Sequence, residues 1–305
     1  MDKSLQTAKA KKLWFYISLI AFPVIQFIIF YIIVNANSFA LAFREYEVID
    51  GVLQYKSVGF TKLGEMYNKI FTDDLYITYL TNSLMFYGIS ILGGTVFSLS
   101  FSYYIYKQGF LGNFFKIMLY LPHILSGMVL TIMYKYMCEY GLPKVGELIG
   151  VEIPGFRETY EWTLTLILFY NLIMSFGSNM LIYTGTMAGI SDSIIEAAEI
   201  DGANMWQEFI HVIMPSIFST FALFIVTGMI QIFNGQGNLF NFYGLDAPEQ
   251  FQTFGYYIYV QVKHAGVDYV KYPDISALGL CLTSFAIPII FTGRYLLNKF
   301  GPSED

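Results

Sequence analysis

Six apolar runs, separated by polar stretches of unequal length, set the rhythm of this chain. Each is close to the roughly 20 residues that let a helix cross about 30 Å of hydrocarbon, so the pattern predicts an all-α integral membrane protein with six transmembrane helices. The first span is expected at residues 13–34, with Pro23 inside it. The second runs from Tyr76 to Tyr106, longer than a bilayer needs, and Gly88, Ser90, Gly93, Gly94, Ser98, Ser100 and Ser102 give it small faces for close helix contact. The third covers Phe114 to Met137 and holds Pro122 and His123. The fourth follows Trp162 to about Tyr183, the fifth spans Ser216 to Phe233, and the sixth Ile275 to Leu297.

The polar stretches differ in kind. Residues 1–12 form a basic tail with Lys9, Lys11 and Lys12. Residues 35–74 mix charged and apolar positions without the glycine and serine of a flexible linker, so a folded extracytoplasmic loop is expected there. Gly141, Pro143, Gly146, Pro154 and Gly155 mark residues 139–161 as an outer loop with turns. Residues 75–297 make up a five-helix core, and residues 298–305 a short tail. Within that core, residues 190–215 are a polar island that spells two short helices. Ser193 with Glu196 reads as a capping box, Asp201-Gly202 as a stop, Asn204 with Gln207 as a second start, and Pro215 as the end. Ala197 and Ala198 leave one side of the first helix almost without bulk. An amphipathic segment resting on the membrane surface is the alternative for such a stretch.

Composition agrees with a bilayer protein: 55% of the residues are hydrophobic and 13% charged. A net charge of -6 with no basic stripe argues against nucleic acid as a partner. Three histidines and two cysteines supply no repeated metal pattern, and a structural disulfide between Cys138 and Cys281 is not expected. The lysines before the first run place the N-terminus in the cytoplasm by the positive-inside tendency, although the count over all loops is nearly balanced. Gly59 to Gly64 has the glycine spacing of a phosphate loop, but Glu65 and Met66 stand where Lys and Ser or Thr are required.

The order Glu196-Ala197-Ala198, then Asp201-Gly202-Ala203, then Pro215 resembles the cytoplasmic coupling loop of permease subunits in binding-protein-dependent ABC importers. The likeness extends over roughly residues 60–295 and is to carbohydrate-uptake permeases, the maltose-permease-like first subunit in particular. Asn82-Ser83-Leu84 resembles the Asn-Thr-Leu at the head of that family's second span. Leu121-Pro122-His123 resembles its Leu-Pro segment, and Met180 to Tyr183 its run into the loop. Two departures stand out: Ser191 replaces the usual proline, and Asp246-Ala247-Pro248 stands where a Gly-Gly-Pro is frequent.

The resemblance implies a type I ABC importer permease fold in the cell membrane of a bacterium, with both termini cytoplasmic. It implies a second homologous permease, an ATP-binding cassette ATPase dimer and an extracytoplasmic solute-binding protein as partners, and a sugar, oligosaccharide or glycoside, as cargo. The chain would hold no cofactor of its own, since ATP and Mg would be used by the ATPase. Glu196, Ala197, Ala198, Asp201, Gly202, Ala203 and Pro215 would form the coupling element, with Glu196 making polar contact at the ATPase cleft and Gly202 setting the turn. Polar groups inside spans are costly unless they face a cavity or a partner, which makes Asn171, Asn179, Gln231 and Asn234 candidates for the substrate path, with Tyr170, Phe176 and Phe233 to stack on sugar faces. Taken singly, each of these is better explained by helix packing or an interhelical hydrogen bond. A secondary transporter or channel working alone would want ionisable residues deep in the spans or an inverted repeat. A membrane protease would want a His-Glu-x-x-His, a Gly-x-Ser-x-Gly or paired aspartates, and the sequence shows none of these.

Overall fold

The structure, a computed structural model, describes residues 2–49, 52–266 and 269–302, without the side chains of residues 2–10, 48, 49, 52, 53, 176 and 269. The chain divides into two compact units: residues 1–68 with 261–281, and residues 69–260 with 282–305.

In the first unit, α1 (Lys11–Ala42) is apolar on every side and has no buried residue in its most apolar window, as befits a helix solvated by lipid. It continues past the predicted end at Val34, because Asn35 and Ser38 are tolerated once their side chains bond back to the helix, Asn35 to the Tyr31 carbonyl at 2.6 Å and Ser38 to the Val34 carbonyl at 3.3 Å. The predicted outer loop therefore begins later, and its described residues hold regular structure. An antiparallel hairpin pairs β1 (Arg44–Ile49) with β2 (Val52–Ser57), in a register from Arg44 opposite Ser57 to Ile49 opposite Val52. Then α2 (Thr61–Thr72) begins. Lys62 is 8% exposed and pairs with Asp274 at 2.8 Å.

The second unit holds the remaining apolar helices. α3 (Asp74–Tyr106) packs against α6 (Tyr160–Met187) through the predicted small face. A Cβ at Gly94 would stand 2.3 Å from Ser175 Oγ, and one at Gly93 2.6 Å from Leu172 Cδ1, so only glycine lets the backbones come this near. The Ser102 hydroxyl, fully buried, bonds across to the Met180 carbonyl at 2.9 Å.

One predicted span is broken, and another is entered through a bend. The third is a pair, α4 (Gly112–Ile124) and α5 (Gly127–Ile149), bent by 103°. Pro122 removes a donor from the last turn of α4, and Leu125 and Ser126 are extended. The helix resumes through the stretch expected to be loop and ends at Gly150, whose φ is 74°. The fifth is intact as α9 (Phe218–Asn234), close to its expected bounds; the loop before it holds α7 (Asp192–Ile200) and α8 (Met205–Ser216), and α8 meets α9 at a bend of 72°. Among the described residues, four helices qualify as spans by length and apolarity, or up to six if each bent pair is one crossing. Two short helices, α10 (Leu239–Tyr243) and α11 (Phe254–Ala265), precede α12 (Tyr272–Phe300).

The second unit has a buried cluster at each end. Phe156, Tyr170, Phe242, Phe251 and Tyr256 belong to one, Leu99, Tyr183, Met187, Ile195, Ile213 and Ile217 to the other. Cys138 and Cys281 are buried and are not joined in a disulfide.

Candidate functional site

The 190–215 loop is built by local chemistry. Its first helix, α7, starts two residues earlier than the expected capping box would have it. Ser191 is the N-cap, and its hydroxyl lies 2.8 Å from that of Ser193. Ser193 is thus inside the first turn, and no box forms with Glu196. The end of α7 does follow the sequence. Gly202 has φ of 77°, its amide bonds the Glu199 carbonyl at 3.1 Å, and the Ala203 amide bonds that of Ala198 at 3.0 Å. This pair of bonds is the Schellman closure that a left-handed residue permits. The second helix opens on a reciprocal capping box: Asn204 Oδ1 accepts from the Gln207 amide at 3.0 Å, and Gln207 Oε1 accepts from the Asn204 amide at 2.9 Å. Pro215 is exposed in the last turn of α8, just ahead of the bend at Ile217.

The loop has an anchored side and an open side. Ile195 and Ile213 sink into the buried cluster with Tyr183 and Met187. Glu196, Ala197 and Asp201 are exposed, and Ala198 and Ala203 half-buried. Around them Ile194, Ile200, Met205 and Trp206 also stand in the open, Ile200 at 85% and Trp206 at 70% exposure. The Asp201 side chain makes no hydrogen bond or ion pair among the described residues. An exposed apolar rim around a flat, alanine-lined patch is a surface shaped for a partner.

Lys107, at the end of α3, holds the anchored side. Its ammonium lies 2.8 Å from Glu208 Oε1 and 3.3 Å from Glu199 Oε1, and Glu208 is 3% exposed. The Tyr103 hydroxyl donates to the Met205 carbonyl at 3.1 Å, and its ring packs on Phe209 at 5.1 Å between centroids. Burial works to lower the Lys107 pKa, but the hydrogen bond and charge of Glu208, with the hydrogen bond to Glu199, outweigh it and leave the pKa above the usual lysine value. The sequence offered no sign of this: Lys107 reads as an ordinary basic residue after a span, and the acids as solvated.

At the opposite end of α9 lies a polar cavity of about 240 Å³, lined among others by Ser83, Tyr87, Ser90, Asn171, Gln231 and Asn238. Asn171 donates to the carbonyls of Ile167 and Gly237, both at 2.9 Å, and accepts from Asn238 Nδ2 at 2.8 Å. Asn238 in turn accepts from Asn241. The chain turns here because Gly237 and Asn238 both take φ of 57°, a conformation that glycine and asparagine tolerate. Asn82 and Ser83 hold the segment that follows: Asn82 Nδ2 donates to the carbonyls of Gln250 at 2.8 Å and Gln252 at 3.0 Å, and Ser83 Oγ accepts from the Phe254 amide at 3.1 Å.

The expected path residues are thus divided. Asn171 and Gln231 share the cavity, whereas Asn234, exposed at the end of α9, and Asn179, half-buried, do not line it. Tyr170 is 2% exposed, accepts from Thr131 Oγ1 at 2.9 Å and meets Phe242 edge to face. It is a core residue with no free face for a sugar. Phe233 is likewise buried. The side chain of Phe176 lies outside the described residues. No cluster of potential metal ligands occurs among the described residues.

Residues 89–236 match the family described as "Binding-protein-dependent transport system inner membrane component". The chain is 20% identical over 292 residues to the polygalacturonan/rhamnogalacturonan transport system permease protein YteP of Bacillus subtilis, covering 94% of this chain and 88% of the relative. It is 26% identical over 170 residues to the alpha-glucoside transport system permease protein AglF of Rhizobium meliloti, covering 52% of this chain and 47% of the relative. Among solved structures, a chain of a bacterial ABC transporter involved in the import of alginate superposes with a TM-score of 0.75 at 19% identity, over 97% of this chain and 99% of that one.

Proposed function

We infer the function of this chain from its place among the carbohydrate permeases of binding-protein-dependent ABC importers, whose inner-membrane component it carries at residues 89–236. It is a membrane-spanning transport subunit and acts on a sugar delivered by an external binding protein. The hydrolysis of ATP, with its Mg, takes place on a separate ATPase dimer, and the open side of the 190–215 loop is where that engine seats. Glu196 meets the ATPase through its carboxylate, and Ala197 and Ala198 admit the partner surface closely. Gly202 fixes the angle between α7 and α8.

The observation that carries this reading is the two-sided loop itself: Ile195 and Ile213 buried in the helical body, Glu196 and Ala197 exposed on a rigid, doubly capped knob. A second permease follows from the polar cavity. At about 240 Å³ it is smaller than the roughly 300–1,000 Å³ that encloses a small ligand, so an oligosaccharide needs a second wall. Asn171 and Gln231 line this chain's half of the path, and hydroxyl groups of the cargo bond their amides.

The knob must face the cytoplasm, with both termini on that side. Glu196→Cys in intact bacteria is expected to resist a membrane-impermeant maleimide and to label only after the membrane is opened. Labelling from outside overturns the reading. Uptake by the purified chain alone, with no ATPase, would instead favour a secondary transporter.

A further inference from the structure

We propose that Lys107 is the positioning residue that fastens the coupling loop to α3, so that displacement entering at Glu196 reaches the Asp74–Tyr106 helix as the motion of one body. The proposal rests on the reading of residues 190–215 as the coupling loop.

Three observations carry it. Lys107 is the residue immediately after α3, and its ammonium reaches both helices of the loop, Glu199 in α7 at 3.3 Å and Glu208 in α8 at 2.8 Å. The two acids lie on opposite sides of the Gly202 turn, so one cation spans the only joint at which the knob could flex by itself. Glu208 is 3% exposed, and a buried carboxylate that loses its cation is left uncompensated in a poorly solvating place. The link is therefore one that the fold must keep. Tyr103, one helical turn before Lys107, adds the Met205 carbonyl bond and the Phe209 contact on the same side. The stitch thus runs along the last turn of α3, whereas Glu196, Ala197 and the apolar rim stay free for the partner.

The geometry makes Glu199 and Glu208 unequal. Glu208 is buried and fixes the lysine, while the Glu199 side chain is 61% exposed and ties the first loop helix to it. Removing Lys107 should therefore loosen α7 relative to α3.

The test is a spin-label distance between Ser193→Cys in α7 and Val96→Cys in α3, both exposed positions, with Cys138 and Cys281 replaced by alanine. It is measured in the complex with its ATPase, without nucleotide and with ATP plus vanadate. The expected result is a single narrow distance, the same in both states. In Lys107→Met the distribution should be about twice as wide or show a second, displaced peak with ATP, and Lys107→Arg, which keeps the charge and can reach both acids, should restore the narrow one. If Lys107→Met does not assemble, the exchange of Lys107→Glu with Glu208→Lys decides: a narrow distance supports the fastening, and a broad one in both it and Lys107→Arg overturns it. A Lys107→Met distance as narrow and as unmoved by ATP as that of the parent also overturns the proposal. Failure of the underlying reading shows separately, as a chain that binds no ATPase. The nucleotide-free comparison of Lys107→Met with its parent then still reports whether Lys107 fastens the loop.

Discussion

Gly202→Val isolates what the turn between the two loop helices is worth. Gly202 has φ of 77°, and nothing lies within 4 Å of the point where a Cβ would stand. The substitution therefore creates no clash, and its whole effect is conformational. Holding an L-residue with a Cβ in the left-handed region costs roughly 1–2 kcal/mol, which shifts the balance between this turn and its alternatives about 5- to 30-fold. That is small beside the stability of the helical body, so insertion and assembly should persist. It is large for a turn closed by just two backbone bonds, Gly202 to Glu199 and Ala203 to Ala198. Transport by the assembled importer in proteoliposomes should fall by a similar factor, with Gly202→Ala intermediate and Gly202→Asn mildest. The amount of ATPase copurifying with each variant measures assembly. Wild-type transport in Gly202→Val would refute the claim that this angle transmits force.

Other substitutions probe the supports around the site. Asn82→Ala strips the carbonyls of Gln250 and Gln252 of their buried donor, and should cost about 1–3 kcal/mol, read as a lower melting temperature in detergent; an unchanged melting temperature would mean that the hook contributes nothing. Asn204→Ala removes the cap of α8 and should cost about 1 kcal/mol of local stability, seen as faster amide exchange at Trp206 and Gln207. Gly94→Val drives a side chain into Ser175 at 2.3 Å. Since α3 and α6 cannot separate without opening the core, loss of folded protein is expected, and normal yield would contradict the packing.

The helix stop and the second cap within residues 190–215 were legible beforehand, because their signals are local. A stop that needs positive φ at Gly202, or a cap that joins Asn204 to Gln207 three residues on, involves neighbours in the chain, and residue type alone specifies it. The Ser193 box failed for the same kind of reason: a better-placed serine stands two residues earlier. Span boundaries were less legible. Hydropathy measures what lipid will accept, so it could not show that α1 continues through Asn35 or that the third run turns by 103° after Pro122.

Among the candidate path residues the division came from contacts that hydropathy cannot distinguish. A tyrosine in a span can face a cavity or a core with equal apolar cost, and it was Thr131 and Phe242 that drew Tyr170 inward. What the amino-acid order determined by itself was the membrane, the number of apolar runs and the knob that interrupts them, since each depends on composition or on spacing within a turn or two. Only the tertiary structure decided that Lys107 meets Glu199, 92 positions away, and that Asn82 meets Gln250, 168 away. Such pairings depend on which helices lie side by side, and that is fixed by the glycine and serine contacts of the whole packed body rather than by any one segment.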